Sequence, residues 1–164
     1  MACWQAALIA LALTACDTPP PSVVELPGVA YVHPLRRSEA DVARASEAFY
    51  AKETHGQDVV FRTVEHERAG YYFYTKFDVE PPADARIVLE VVRKEAAAPE
   101  RYVFSTQVRP KFPLGEYVIG LTGKDAGSPK WVPIAWRVSL VDSQGKVLAS
   151  LHSFLWGSPT DLLR

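Results

Sequence analysis

The chain has 164 residues, of which 48% are hydrophobic, and its formal net charge is −1 at neutral pH. This length is enough for one ordinary domain with its own core. Nothing in this near-neutral charge suggests the basic face that nucleic-acid binding needs, so we expect no nucleic-acid partner.

An uncharged apolar stretch opens the chain. Residues 1–15 contain no charged side chain, although a lysine or arginine commonly precedes the apolar part of a signal peptide. The run from Ala6 to Leu13 has the length of a signal-peptide core and is too short to cross a bilayer. We therefore predict that residues 1–15 are a signal peptide.

The run Leu13-Thr14-Ala15-Cys16 closes this stretch. It resembles the lipobox of bacterial lipoproteins, in which the cysteine becomes the lipidated N-terminus of the mature protein. The resemblance implies a lipid-anchored protein of the bacterial cell envelope that faces the periplasm. Asp17 would favour the inner membrane, with the outer membrane as the alternative. An ordinary secretory signal that ends near a cysteine is the competing interpretation.

Residues 16–28 are predicted to be the lipidated cysteine and a proline-rich tether. Pro19–Pro21 favour an extended, semi-rigid conformation that would hold the folded part clear of the lipid headgroups. The only two cysteines are Cys3, within the predicted signal peptide, and Cys16. The mature domain is therefore expected to hold together without a disulfide.

A short helix is predicted over about residues 39–52. Ser38 can cap its first turn, and Val42, Ala45 and Phe49 then recur at helical spacing. From Asp58 onward the period of the apolar residues changes to two, which predicts β-strands. Seven strands are expected, at about 58–64, 71–79, 86–93, 102–108, 116–122, 134–141 and 147–156.

Segment 71–79 alternates most informatively. Its predicted core face carries Tyr71, Phe73, Thr75, Phe77 and Val79. Tyr72 and Tyr74 lie on the opposite face, because a slip of one residue would bury Lys76 and Asp78. Trp136 is expected in the core, since its strand alternates just as clearly.

Short strands separated by proline- and glycine-containing turns favour an antiparallel β-sandwich over residues 29–157. Immunoglobulin-like is the expected architecture, although the Cys–Trp–Cys pattern of antibody domains is absent. The closing stretch, residues 136–154, is similar to the final hairpin of many bacterial sandwich domains. Residues 158–164 are predicted to be a loosely held tail.

Catalytic and metal chemistry are not indicated. The four histidines show no ligand spacing, and the one cluster, Glu65-His66-Glu67, lies in a predicted turn where a solvated tip is the simpler interpretation. No nucleophile elbow or phosphate-binding glycine loop is present. The sequence therefore predicts no catalytic residue, no metal and no cofactor.

Three aromatic residues are candidate binding residues: Tyr72, Tyr74 and Trp131. The two tyrosines would form an exposed platform for a protein or a glycan unless the helix covers them. Trp131, in the loop 128–133, could extend this platform or plug the open end of the sandwich.

The expected function is that of a membrane-anchored periplasmic lipoprotein. Its sandwich would serve as a non-catalytic protein-interaction or accessory module of an envelope complex. The alternative is a carbohydrate- or peptidoglycan-binding module, and a further alternative is a hydrolase whose site has no sequence signature. The expected partners are the membrane, through the lipid, a protein of the envelope and, for the alternative, a glycan.

Overall fold

The computed structural model describes residues 26–42, 55–94, 96 and 98–157. Within these ranges the chain forms eight strands, one α-helical turn and one 3-10 turn. In chain order they are β1 (Val29–Arg37), α1 (Glu39–Val42), β2 (Val59–Arg62), β3 (Gly70–Phe77), β4 (Arg86–Val92), β5 (Glu100–Ser105), β6 (Tyr117–Thr122), the 3-10 turn (Gly123–Ala126), β7 (Ala135–Val141) and β8 (Val147–His152). The prediction of a mainly β protein is confirmed.

The strands form two four-stranded sheets. The first sheet has the order β1-β3-β6-β2 and the second the order β5-β4-β7-β8. Every neighbouring pair is antiparallel except β2 with β6, which is parallel. The expectation of purely antiparallel pairing is wrong there because β1 and β2 start at the same end of the sheet, and both therefore run opposite to β3.

The two sheets pack face to face around one core, which is a sandwich-like arrangement. The alternation predicted the core faces of β3, β4, β6 and β7 correctly. The buried cluster contains Tyr71, Phe73 and Phe77 from β3, Ile87, Leu89 and Val91 from β4, Tyr117, Ile119 and Leu121 from β6, and Val138 and Leu140 from β7. The edge of Trp136 meets Phe73 across the core, with ring centroids 6.1 Å apart. Val79 was predicted to be buried, but it is 54% exposed because β3 ends at Phe77.

Strand β1 was not predicted. It pairs with β3 from Val29 opposite Phe77 to Arg37 opposite Gly70. Its sequence lacks a clean alternation, and Pro34 lies in its interior. A proline is tolerated here because β1 is an edge strand, where one side of the backbone has no ladder to join.

The predicted helix begins as expected. Ser38 and Asp41 form a reciprocal capping box, because the backbone N–H of Ser38 donates to Asp41 Oδ2 at 2.8 Å and that of Asp41 donates to Ser38 Oγ at 3.3 Å. Ala45 and Phe49 lie outside the described residues, which stop at Val42 and resume at His55. Cys16, the tether before Leu26 and the tail 158–164 also lie outside them. No helix in the described part of the chain is both long enough and apolar enough to cross a membrane.

The two ends of the molecule differ in composition. At one end, the segments 78–85 and 106–116 contain four prolines, and we call this the proline end. At the other end, the loop 123–134 contains Trp131, and we call this the tryptophan end. Strand β4 runs from the proline end at Arg86 to the tryptophan end at Val92.

Candidate functional site

Tyr72 is enclosed within the outer face of the first sheet and is 1% exposed. Its ring lies over Gly120, where a Cβ atom would stand 2.5 Å from Tyr72 Cε1. The Tyr72 hydroxyl donates to the carbonyl of Arg68 at 2.5 Å and accepts from Arg62 Nε at 3.1 Å. The ring is therefore not an exposed stacking surface.

Tyr74 is half-buried on the same outer face. The guanidinium carbon of Arg37 stands 5.6 Å from the centre of its ring, and Arg37 Nε donates to its hydroxyl at 3.3 Å. An arginine thus already stacks on this ring. Most of the helix predicted to cover the two tyrosines lies outside the described residues.

Trp131 lies elsewhere, at the tryptophan end. Its ring meets Tyr71, an inward-facing residue, edge-on at 5.5 Å. The guanidinium carbon of Arg93 stands 4.1 Å from the centre of the indole. Trp131 is thus packed against the open end of the core, and the structure does not bring it together with Tyr72 and Tyr74.

Arg93 is the centre of a polar cluster that sequence reasoning missed. Arg93 Nε is 2.6 Å from Glu100 Oε2, to which the Tyr102 hydroxyl also donates at 2.7 Å. Arg93 also donates to the carbonyl of Asp125 at 2.7 Å. Glu100 and Tyr102 lie two residues apart on β5, and Arg93 directly follows β4, which pairs with β5. The sequence shows the spacing within β5, but the approach of Arg93 and Asp125 depends on the pairing of β4 with β5 and on the loop 123–134.

The pKa values of this cluster follow from burial and from the shared carboxylate. Burial and then the hydrogen bond to Glu100 raise the pKa of Tyr102 to about 12. Burial opposes the charge of Glu100, but hydrogen bonds from Tyr102 and Arg93 outweigh it and lower its pKa. Burial likewise opposes the charge of Arg93, yet its bonds to Glu100 and Tyr102 leave its pKa raised. The arrangement holds a charged pair in place and is typical of a structural contact.

The proline end contains a small cavity of about 10 Å³. Two buried hydroxyls in its lining, Thr75 Oγ1 and Tyr117 Oη, have no hydrogen-bond partner. Burial raises the pKa of Tyr117. The volume is about that of one water molecule, so the cavity has no room for a substrate.

The proline end also exposes apolar side chains at the surface. Val79, Val108, Phe112 and Leu114 are all exposed. The loop that carries the last three is braced, because Arg109 pairs with Glu80 at 2.9 Å and the N–H of Lys111 donates to the carbonyl of Gln57 at 2.9 Å. The proline end is therefore an apolar surface whose loop is fixed by an ion pair and a backbone hydrogen bond.

A shallow groove of about 330 Å³ crosses the outer face of the second sheet. On its polar side, Arg137 pairs with Glu90 at 2.5 Å and stacks on Trp156 at 4.8 Å. The hydroxyls of Ser139 and Ser150 lie 3.1 Å apart within it. These polar groups of the groove therefore contact one another or Trp156.

Strand β5 forms the edge of the second sheet next to this groove. The N–H of Thr106 donates to the carbonyl of Ala85 at 3.2 Å, in continuation of the pairing of Arg86 with Ser105. Along an antiparallel ladder, opposite residues that share two backbone hydrogen bonds alternate with opposite residues that share none. The backbone groups of Arg101, Val103 and Ser105 therefore point away from β4, toward the outer edge.

The remaining candidate is the acidic cluster with His66. Glu65, His66 and Glu67 are exposed in the turn between β2 and β3, as expected. Within the described ranges, no three or more His, Cys, Asp or Glu side chains form a group that could hold a metal ion. Comparison of the chain with protein-family models, with curated proteins and with solved structures finds no match.

Proposed function

We propose that the protein is a membrane-anchored periplasmic lipoprotein whose β domain is a non-catalytic protein-interaction module. The lipobox-like run Leu13–Cys16 supports the anchor. The open edge of β5 is the observation that carries the interaction. An exposed edge can accept an extended segment of another chain as an additional strand.

The other three edges support this assignment because each carries a feature that discourages pairing. Strand β1 contains Pro34 and an irregular register between Val29 and Tyr31. Strand β2 has only four residues, and β8 is bridged by Leu26 at Ser150. Short strands, prolines, bulges and covering segments are the usual protections of sheet edges. Among the described residues, no strand lies on the outer side of β5.

The side chains of β5 define the chemistry of the partner. Tyr102 and Phe104 face the core, whereas Arg101 and Val103 face outward, and Val103 is 47% exposed. An added strand would place alternate residues beside these two rows. The partner is an extended segment that offers an apolar residue beside Val103 and an acidic residue beside Arg101.

We also propose that the fold is immunoglobulin-like. In constant-type immunoglobulin domains, strands A, B, E and D form one sheet and strands C, F and G the other. Here β1, β3 and β6 stand in the order A, B, E, and β4, β7 and β8 in the order C, F, G. The departures are β2, which occupies the place of strand D and runs parallel to β6, and β5, an extra strand beside β4.

Replacement of Val103 by proline tests the interaction. The N–H of Val103 points away from β4, so proline removes a donor from the outer edge without breaking the ladder to β4. Val103→Thr is the matched control, because it keeps the N–H and a β-branched side chain. We expect a protein that co-purifies from gently solubilised membranes with the wild type and with Val103→Thr, and is lost with Val103→Pro.

Unfolding in urea establishes that both variants are folded. Equal recovery of the co-purifying protein with Val103→Pro and Val103→Thr would contradict the assignment to β5. Recovery of no partner with the wild-type protein would contradict the interaction module itself.

A further inference from the structure

Phe154 is the most exposed of the large apolar side chains that the structure describes, at 98%. It lies in the turn Ser153–Gly157, which follows β8. The turn is fixed to the sheet, because the N–H of Ser153 donates to the carbonyl of Trp136 and the N–H of Trp156 donates to that of Ser153, both at 2.9 Å. An exposed phenylalanine ring on a braced turn gains from contact with an apolar phase, because transfer of apolar surface out of water is favourable.

The first described residues, Leu26–Gly28, run beside β8. Leu26 pairs antiparallel with Ser150, and a Cβ atom on Gly28 would stand 3.1 Å from the Cβ of Ala149. Traced from Gly28 back to Leu26, the chain therefore runs toward the C-terminal end of β8. That end continues directly into the turn that carries Phe154.

The length of the tether fits the same arrangement. Nine residues, 17–25, separate Cys16 from Leu26. Fully extended, this segment spans at most about 35 Å. Phe154 follows Ser150 by four residues and therefore lies at most about 13 Å beyond it, the length of four strand residues. A lipid on Cys16 can therefore lie level with the turn, and in that arrangement the tether does not hold the domain clear of the headgroups as the sequence alone predicts.

We propose that the turn Ser153–Gly157 contacts the membrane that holds the lipid anchor, with Phe154 and Leu155 inserted at the lipid surface. This inference rests on the proposed lipidation of Cys16. Aromatic side chains suit the boundary between headgroups and acyl chains, and binding strengthens with the apolar area buried there. Val132, exposed at the same end, would lie close to the surface as well.

The proline end is the competing membrane contact, because it also exposes apolar side chains. The two candidate contacts are distinguished by the direction of the chain from Gly28 back to Leu26, which is toward the turn after β8 and away from the proline end. Leu114, at the proline end, is 62% exposed and therefore gives a matched position for comparison.

The test uses the mature lipidated protein, which begins at Cys16, in vesicles of phosphatidylethanolamine and phosphatidylglycerol. Phe154→Cys and Leu114→Cys each introduce one thiol for an environment-sensitive fluorophore. The parent protein is the labelling control, because acylation of Cys16 leaves it without a free thiol. We expect a blue shift at position 154 and quenching by spin-labelled lipid several-fold stronger than at position 114.

The possible outcomes separate the two proposals. The membrane contact is overturned, and the anchor left intact, by either of two results with acylated protein. One is a label at position 154 that stays in water, and the other is stronger quenching at position 114 than at position 154. A parent protein that carries no acyl chain and is labelled at Cys16 overturns the anchor and the contact together.

Discussion

Tyr102 lies half-buried between the core and the ion pair of Arg93 with Glu100. Its hydroxyl donates to Glu100 while its ring packs against the core. Burial and the neighbouring carboxylate both disfavour the phenolate, which is why its pKa rises from 10.0 to about 12. The same side chain thus links stability to pH.

Replacement of Tyr102 by phenylalanine should change the alkaline stability of the protein. Between pH 10 and about 12, the unfolded chain releases the Tyr102 proton while the folded protein keeps it. The free energy of unfolding therefore falls with rising pH across this window. Tyr102→Phe should lower stability by about 0.5–1.5 kcal/mol below pH 10 through the lost hydrogen bond. Its stability should then fall less steeply than that of the wild type.

Urea unfolding at several pH values measures this slope. Tyr31 provides a comparison, because its hydrogen bond to Glu116 and its burial also raise its pKa to about 12. Tyr31→Phe should therefore flatten the same limb of the pH profile. Identical slopes in the wild type and Tyr102→Phe would show that Tyr102 does not titrate differently on folding.

For Tyr72, the sequence predicted the face of the strand but not the burial of the side chain. The alternation placed its side chain on the outer face of β3 correctly. Its burial could not be inferred, because Gly120 comes to lie opposite it only when β3 pairs with β6. A glycine in an otherwise large-residue strand was the available signal, since an aromatic ring on a neighbouring strand can cover such a position.

The loop 123–134 is held in place by two arginines that come from different sheets. Arg36, from β1, donates to the carbonyls of Ala126 and Trp131 at 2.7 and 3.2 Å. Arg93, just after β4, donates to the carbonyl of Asp125 and covers the Trp131 ring. The loop therefore connects both sheets at the tryptophan end.

Replacement of Arg93 by methionine should loosen this loop. Methionine keeps an apolar stem but loses the bonds to Glu100 and Asp125, and hydrogen bonds to charged groups are worth about 1.5–3 kcal/mol. We expect faster amide exchange within residues 124–133 and a lower free energy of unfolding. Arg86→Met, an exposed position at the other end of β4, is the control and should change neither. Unchanged exchange in Arg93→Met would mean that Arg36 and packing hold the loop alone.

The elements that sequence reasoning found and missed differ in their patterning. Each of the seven predicted strands has a counterpart in the structure, although several bounds differ and the last strand ends at His152 rather than at residue 156. Strand β1 escaped prediction because its burial pattern does not alternate and Pro34 lies in its interior. The parallel pairing of β2 with β6 depends on where the segment after α1 returns, which local pattern does not specify.

In the whole molecule, the two proposed contacts lie at opposite edges of one sheet. Strand β5 is the first strand of the second sheet and β8 is the last. Three strand spacings, about 14 Å, separate them. A membrane contact at the turn after β8 would therefore leave the edge of β5 open to a partner.

The intact mass of the protein extracted from its native membrane tests the lipid anchor, on which this arrangement depends, most directly. We predict a mature chain that begins at Cys16 and carries acyl groups. Cys16→Ser should lack the acyl mass and leave the membrane fraction. An unacylated mass for the wild-type protein, or unchanged membrane retention of Cys16→Ser, would contradict the account.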